Sequence, residues 1–479
     1  MKKFLSLTIL LSTYIFAQWD IVVIDSGSHS PGSNVTFQPG VISLAVDKNN
    51  KVHIAYEGIY GFESNIILDS VLQYVKYNPS TSNKEADVIA AGLIDGLGPN
   101  YGISPSVVID NNNAIYLVHF YQGSNGNPIE ILYSLDGSTF SWKLSTAYDF
   151  YKEFVHACID KNNVLHILYY NTESSNFEED YHLRYAKYSS NSGWQEVASL
   201  YYPNYSPTHL SVGVDSQGIL HFTYFIGTET PTVYYGFYDG TKISTETVDI
   251  GELPTLGIDK DNNIHICYLS SATFTVYGQQ LEYSALVYKK KTQQGWTDKQ
   301  IIAACSGNLS YTCNKIVFDN NGGLHLVCVG ILEFDMIPPI PDYSGLICVS
   351  KLTPSATWQA EVIEKSDTQN IQQIKLFLNP VIDIDTNGQI HVCYERRTTI
   401  FSGTEYQVYD EVVYAKRSPM TPGGGTGENG SGTGESGDTG EGSDGTASQE
   451  DVVKPAKIHF TPASAVRKKI DELKKKLQQ

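Results

Sequence analysis

VDKNNKVHIAY, from Val46 to Tyr56, carries a phrase the chain uses seven times: apolar, Asp, a polar turn, apolar, His, apolar, any residue, Tyr. The other versions read IDNNNAIYLVH from Ile109, IDKNNVLHILY from Ile159, VDSQGILHFTY from Val214, IDKDNNIHICY from Ile258, FDNNGGLHLVC from Phe318 and IDTNGQIHVCY from Ile384. The aspartates Asp47, Asp110, Asp160, Asp215, Asp259, Asp319 and Asp385 stand 63, 50, 55, 44, 60 and 66 residues apart. A period near fifty, filled with strand-forming residues, is the mark of a propeller or array.

Each repeat unfolds into four strands. The run before Asp is apolar or alternating, as in SLAV or THLSVGV, and suits a buried strand. Asn-Asn or Asn-Gly supplies a turn because these residues tolerate positive φ. The His-to-Tyr segment is the second strand, and LQYVKY from Leu72 or LRYAKY from Leu183 the third. The fourth often opens on Trp, at Trp142, Trp194, Trp296 and Trp358. The last repeat ends near Arg417 without a Trp strand, whereas WDIVVID, Trp19 to Asp25, precedes the first repeat with no blade of its own. The expectation is all-β: a seven-bladed β-propeller of four-stranded antiparallel blades, its last blade closed by the N-terminal strand, which removes exposed sheet edges.

The flanks differ from this body, which spans residues 18–420. Residues 1–17 combine Lys2 and Lys3 with an apolar run to Phe16 and a small Ala17, the pattern of a signal peptide, so export to the surface, periplasm or medium is expected. Residues 421–451 hold seven acids, no bases and mostly Gly, Ser and Thr, the composition of a flexible linker. Residues 452–479 hold eight bases against two acids. There Val466, Ile470, Leu473 and Leu477 mark a short amphipathic helix that could touch an anionic envelope surface. The chain's net charge of −19 falls mainly on the body, which argues against a nucleic-acid partner. Nothing points to self-association of the body or to a cofactor.

Of seven cysteines, five lie in apolar strand patterns, while Cys305 and Cys313 flank a polar loop and form a candidate disulfide. The repeated histidines His53, His166, His221, His265, His325 and His391 each follow their Asp by six residues across a hairpin. That spacing makes Asp and His cross-strand partners within one blade, a structural pair, and spreads the histidines too far around a ring to share a metal. DIDTNGQI from Asp383 mimics the start of a calcium loop but lacks the closing acid. No metal ligand set is assigned.

The turn SLDGSTFSW, Ser134 to Trp142, resembles a shortened Asp-box, the Ser-x-Asp-Gly…aromatic turn of sialidase-like (BNR-repeat) propellers, and YDGTKI from Tyr238 is similar to a weaker form. The resemblance covers the body and implies the fold; a sialidase would also need a cluster of three arginines, whereas this body has only Arg184, Arg396, Arg397 and Arg417. Function is expected where the connections are long, between strands two and three and between consecutive blades. The candidate ligand-binding residues are Tyr60, Phe62, Tyr121, Tyr151, Tyr181, Tyr202 and Arg396. The leading expectation is non-catalytic capture of a glycan or protein. The alternatives are a polysaccharide lyase or glycoside hydrolase using residues such as His119 and Glu179, and an envelope scaffold tethered by the basic tail.

Overall fold

A computed structural model describes residues 457–459 and residues 19–417, the latter apart from connecting segments of which the longest are 30–36, 62–67, 92–99 and 334–342. Seven antiparallel sheets succeed one another along the chain, each with its first strand innermost. Blade 3, for example, runs Tyr151–Ile159, Leu165–Ser175, Glu178–Ser189 and Gly193–Pro203; blade 4 runs Pro207–Val214, Leu220–Ile226, Thr232–Tyr238 and Ile243–Ile250. The protein is a seven-bladed β-propeller. Blade 7 is assembled from both ends of the body: Gln373–Ile384, Ile390–Ser402 and Glu405–Arg417 take Asp20–His29 as their outermost strand, in register from Asp20↔Lys416 to His29↔Val408.

Two blades depart from the pattern. In blade 5 the Trp strand is reduced to Gly295–Trp296, and Gln300–Cys305 forms most of the outer edge. In blade 6 the inner strand is split into Tyr311–Thr312 and Val317–Phe318, and Lys457–His459 pairs beyond them with Ile331–Glu333. The predicted signal peptide, the acidic linker, the tail helix, Phe62 and the Cys305–Cys313 bridge lie outside what the structure describes.

The repeated phrase folds as one unit. Asp47 Oδ1 accepts hydrogen bonds from the Asn49 and Lys51 amides, both at 2.8 Å, and the other six aspartates do the same at equivalent positions. Three residues after each Asp the backbone turns left-handed, which explains Asn50, Asn113, Asn163 and Asn262 there, and glycine in the remaining blades. These asparagines also reach sideways: Asn113, Asn163 and Asn262 accept from the amides of Lys48, Asn111 and Ser216 in the preceding blade. Where Asn occupies the turn, it therefore links neighbouring blades on the short-turn face.

The second carboxylate oxygen of the repeated Asp faces the Nε2 of its blade's histidine, at 3.1 to 3.5 Å in the six blades that have one. Nδ1 of the same ring meets a third-strand hydroxyl: Tyr74, Tyr185, Tyr235, Tyr288 or Tyr414 at 2.6 to 2.8 Å, and Ser350 in blade 6. With the ring proton on Nε2, Nδ1 accepts from the hydroxyl, so three strands share one buried polar chain. Burial alone would raise Asp47, but hydrogen bonds from His53 and the Lys51 and Asn49 amides bring it below the usual carboxylate range. Blade 2 has no histidine here; Tyr116 packs edge-on against Tyr133, with ring centroids 5.0 Å apart.

Candidate functional site at the axial mouth

The site follows from two rows of positions near the axis. Four residues before the repeated Asp, the innermost strand carries Ser43, Ser106, His156, Ser211, Thr255, Lys315 and Val381. Three of the serines are staples: Ser43 Oγ accepts from Val107 N at 3.0 Å, Ser106 from Ala157 N at 3.2 Å, and Ser211 from Leu256 N at 3.0 Å, each in the next blade. Blade 3 breaks this rule with His156. Two positions earlier the strand bulges, and Ser104, His209, Leu253 and Asn379 hold positive φ of 48° to 53°. Such bulges re-aim side chains. Here they do so on the long-connection side of the ring.

On the seam between blades 7 and 1, carboxylates gather. Asn379 Nδ2 lies 3.3 Å from Glu395 Oε2 and 3.5 Å from the Gly40 carbonyl of blade 1. Glu57 lies over Gly40: a Cβ there would sit 2.6 Å from Glu57 Oε2. Arg397 donates through Nε to Asp410 at 2.5 Å and approaches Glu395 Oε1 with Nη2 at 3.4 Å. Burial, reinforced by Asp410, pushes Glu395 up to about 8 despite Arg397 and Asn379. One guanidinium thus stands beside two carboxyls, and Glu395, 3 % exposed, is protonated near neutral pH.

Nearly opposite, on the seam between blades 3 and 4, stand two imidazoles. His156 and His209 are half-buried, and burial holds both down at about 4, with each other's proximity contributing for His209. Both are neutral near pH 7. From His209 the chain leads outward through Tyr205, 51 % exposed, to Tyr201, 49 % exposed, whose ring centroid lies 5.1 Å from that of His182.

The residues singled out from the sequence are scattered. Tyr60, Tyr121 and Tyr151 fall at the long-connection ends of their strands in blades 1, 2 and 3. Tyr181 and Tyr202 are half-buried against the core shared by blades 3 and 4, and the Tyr202 hydroxyl hydrogen-bonds that of Tyr224. Arg396 is engaged by Glu364, with Nη1 at 2.9 Å from both oxygens, and by Glu411, with Nε at 2.6 Å. His119 is fully buried, its Nε2 3.5 Å from Glu130. In the calcium-like loop, Asp383 accepts from Lys315 and from Val46 N, both at 2.9 Å, and Asp385 caps its turn. Among the described residues no group of three or more His, Cys, Asp or Glu is placed to hold a metal.

The Asp-box-like turn docks one blade on the next. Ser134 Oγ accepts from Gly137 N at 2.9 Å, Gly137 holds φ +79°, and Phe140 packs edge-on on Tyr74 of blade 1 at 4.8 Å. The arginines do not converge: Arg184 donates to Asn171 at 2.6 Å in blade 3, while Arg396 and Arg397 use opposite faces of one strand in blade 7.

No protein-family model matches the chain, and no curated protein does. Solved structures similar to it include an ulvan lyase bound to a glucuronate–sulfated rhamnose unit (10 % identity, 78 % of this chain and 96 % of that one, TM-score 0.49). A GH93 α-L-arabinofuranosidase of Fusarium graminearum with arabinobiose aligns at 11 % identity, 65 % and 92 % coverage and TM-score 0.40. A protein of unknown function from Dyadobacter fermentans aligns at 11 %, 82 % and 98 %, with TM-score 0.42. At these identities and TM-scores the likeness carries no argument about activity.

His156, His209, Glu57, Glu395 and Tyr205 are not among the candidate residues that the sequence points to. His156 and the two glutamates carry a signal: His156 stands where three other blades have serine, and Glu57 and Glu395 stand ten residues after the repeated Asp, where the other five blades have Phe, Tyr, Leu or Val.

Proposed function

We propose that the protein is an exported glycan-processing enzyme that cleaves glycosidic bonds at the axial mouth. The observation that carries this reading is the seam of blades 7 and 1, where Asn379 joins Glu395 to the Gly40 carbonyl and a second carboxylate, Glu57, lies over Gly40; burial raises Glu395 to about 8. Pairs of carboxyls with different environments are what glycoside hydrolysis needs. Glu395 gives its proton to the glycosidic oxygen as the carbon–oxygen bond breaks. Water adds to the sugar carbon and passes its proton to Glu57. Export rests on the signal-like residues 1–17, and a sialidase-type reaction is disfavoured because the arginines are dispersed.

The test is incubation of the full chain with a panel of polysaccharides, following new reducing ends and the ultraviolet absorbance of unsaturated uronates. Reducing ends without absorbance are expected. Glu395→Gln should lower the rate by about 10²-fold or more. Absorbance would indicate a lyase, and turnover untouched by Glu395→Gln would overturn the assignment. Non-catalytic glycan capture is the second reading, supported by the exposed Tyr201 and Tyr205, and predicts retention without release. Contact with an envelope surface rests on the basic tail alone.

A further inference from the structure

Among the described residues, the exposed aromatics of the long-connection face fall in the blade 3–4 sector. Along Gly193–Pro203 and the segment after it, neighbouring tyrosines have opposite fates. Tyr202 turns inward to Tyr224, while Tyr201 is about half exposed beside His182. Tyr169 and Tyr224, at equivalent positions nine residues after Asp160 and Asp215, are buried. The chain then passes from the outer strand of blade 3 to the inner strand of blade 4 with Tyr205 exposed midway, and reaches His209 and His156 beside the axis. Three strand spacings separate rim from axis, about 14 Å, longer than one sugar ring.

We propose that His182, Tyr201, Tyr205, His209 and His156 form a track for a neutral oligosaccharide of several units, laid from the rim to the axis. This rests on the glycan-processing reading above and adds the class of substrate. Flat exposed rings suit stacking on the apolar faces of sugars, and imidazoles suit hydrogen bonds to their hydroxyls. Charge selects the neutral chain. His156 and His209 are uncharged near neutral pH, and Arg184 is turned to Asn171. With a net charge of −19, the molecule repels uronates and sulfates at long range.

The test is calorimetric titration of the full chain with xylo-, manno-, cello- and arabino-oligosaccharides of increasing length, with oligogalacturonides as the charged comparison. One neutral series should bind more tightly as it lengthens, and the charged series should bind least. The Tyr201→Ala/Tyr205→Ala double variant should lose about tenfold in affinity for the longest member and much less for the shortest. Trp142→Ala removes an exposed ring from the opposite end of a blade and should bind as the parent does. Melting curves establish that the variants fold. The proposal is overturned if the double variant binds like the parent or loses affinity equally at every length. Preferred binding of oligogalacturonides, or binding of no oligosaccharide, overturns it too. Glu395→Gln separates the two readings: loss of turnover with affinity intact leaves the track standing, whereas length-dependent binding with no turnover in the parent sinks the enzyme reading alone.

Discussion

The Tyr56 hydroxyl donates to Asp25 Oδ2 at 2.6 Å, joining the second strand of blade 1 to the N-terminal strand that closes blade 7. The same device recurs around the ring, from Tyr268 to Asp249 and from Tyr394 to Glu364, both at 2.6 Å and both reaching the preceding blade. A fully buried tyrosine on one blade is thereby tied to the outer strand of its neighbour.

Ring closure should therefore be sensitive at this strand. Deleting residues 18–26 leaves Glu405–Arg417 as an open edge, and the protein is expected to aggregate or melt far below the parent. Tyr56→Phe keeps the strand and loses the hydrogen bond, at a cost of about 1–2 kcal/mol in denaturant unfolding. Normal melting of the deletion would show that the ring does not need its closure.

The aspartate of the repeated phrase has two separable tasks. Asp215 Oδ1 caps Gln217 N and Ile219 N at 2.8 Å, and Oδ2 faces His221 at 3.4 Å. Asp215→Ala should cost roughly 1–3 kcal/mol, and Asp215→Asn, which keeps an oxygen for the turn, distinctly less. Equal losses in the two variants would assign the whole effect to the histidine. Metal analysis of the purified protein should find no stoichiometric transition metal.

Tyr202 and Tyr201 are adjacent in sequence and should behave oppositely. Tyr202→Ala removes a ring packed between blades 3 and 4 and should lower stability by roughly 3 kcal/mol. Tyr201→Ala should stay within about 0.5 kcal/mol of the parent. Chemical denaturation of the two variants reads the difference directly, and similar losses would contradict the packing described.

Stability should fall on both sides of a mildly acidic optimum. Glu395, raised to about 8, takes up a proton on folding, so its contribution is present at low pH and lost as pH rises through 8. His156 and His209, lowered to about 4, act in the other sense: the unfolded chain binds more protons, so stability grows as pH rises from about 4 to the ordinary histidine range near 6.5. Above that range the glutamate slope remains, joined by Glu130, which burial raises to about 7. Melting temperature should decline between neutral pH and pH ~8. Glu395→Gln, which mimics the protonated form, should flatten that decline; an unchanged slope would mean Glu395 is ionised in the native state.

What the sequence by itself determined was the repeat and everything local to it. Blade count, the four-strand unit, the asparagine or glycine turn and the Asp–His spacing all lie within one short window, where strand period and positive φ act directly on neighbouring residues. Closure by Trp19 to Asp25 was legible too, because a missing strand at one end matched a surplus at the other. Tertiary structure decided the rest. It set Glu57 over Gly40 and joined Gly40 through Asn379 to Glu395, across a seam separated by more than 300 residues, and it turned Tyr202 inward but Tyr201 outward on one strand. It also spent Arg396 on Glu364 and Glu411. The reason is physical: a strand's alternation fixes that neighbouring side chains face opposite ways, but which way is solvent, and which groups from other blades meet there, depends on how the blades close around their axis.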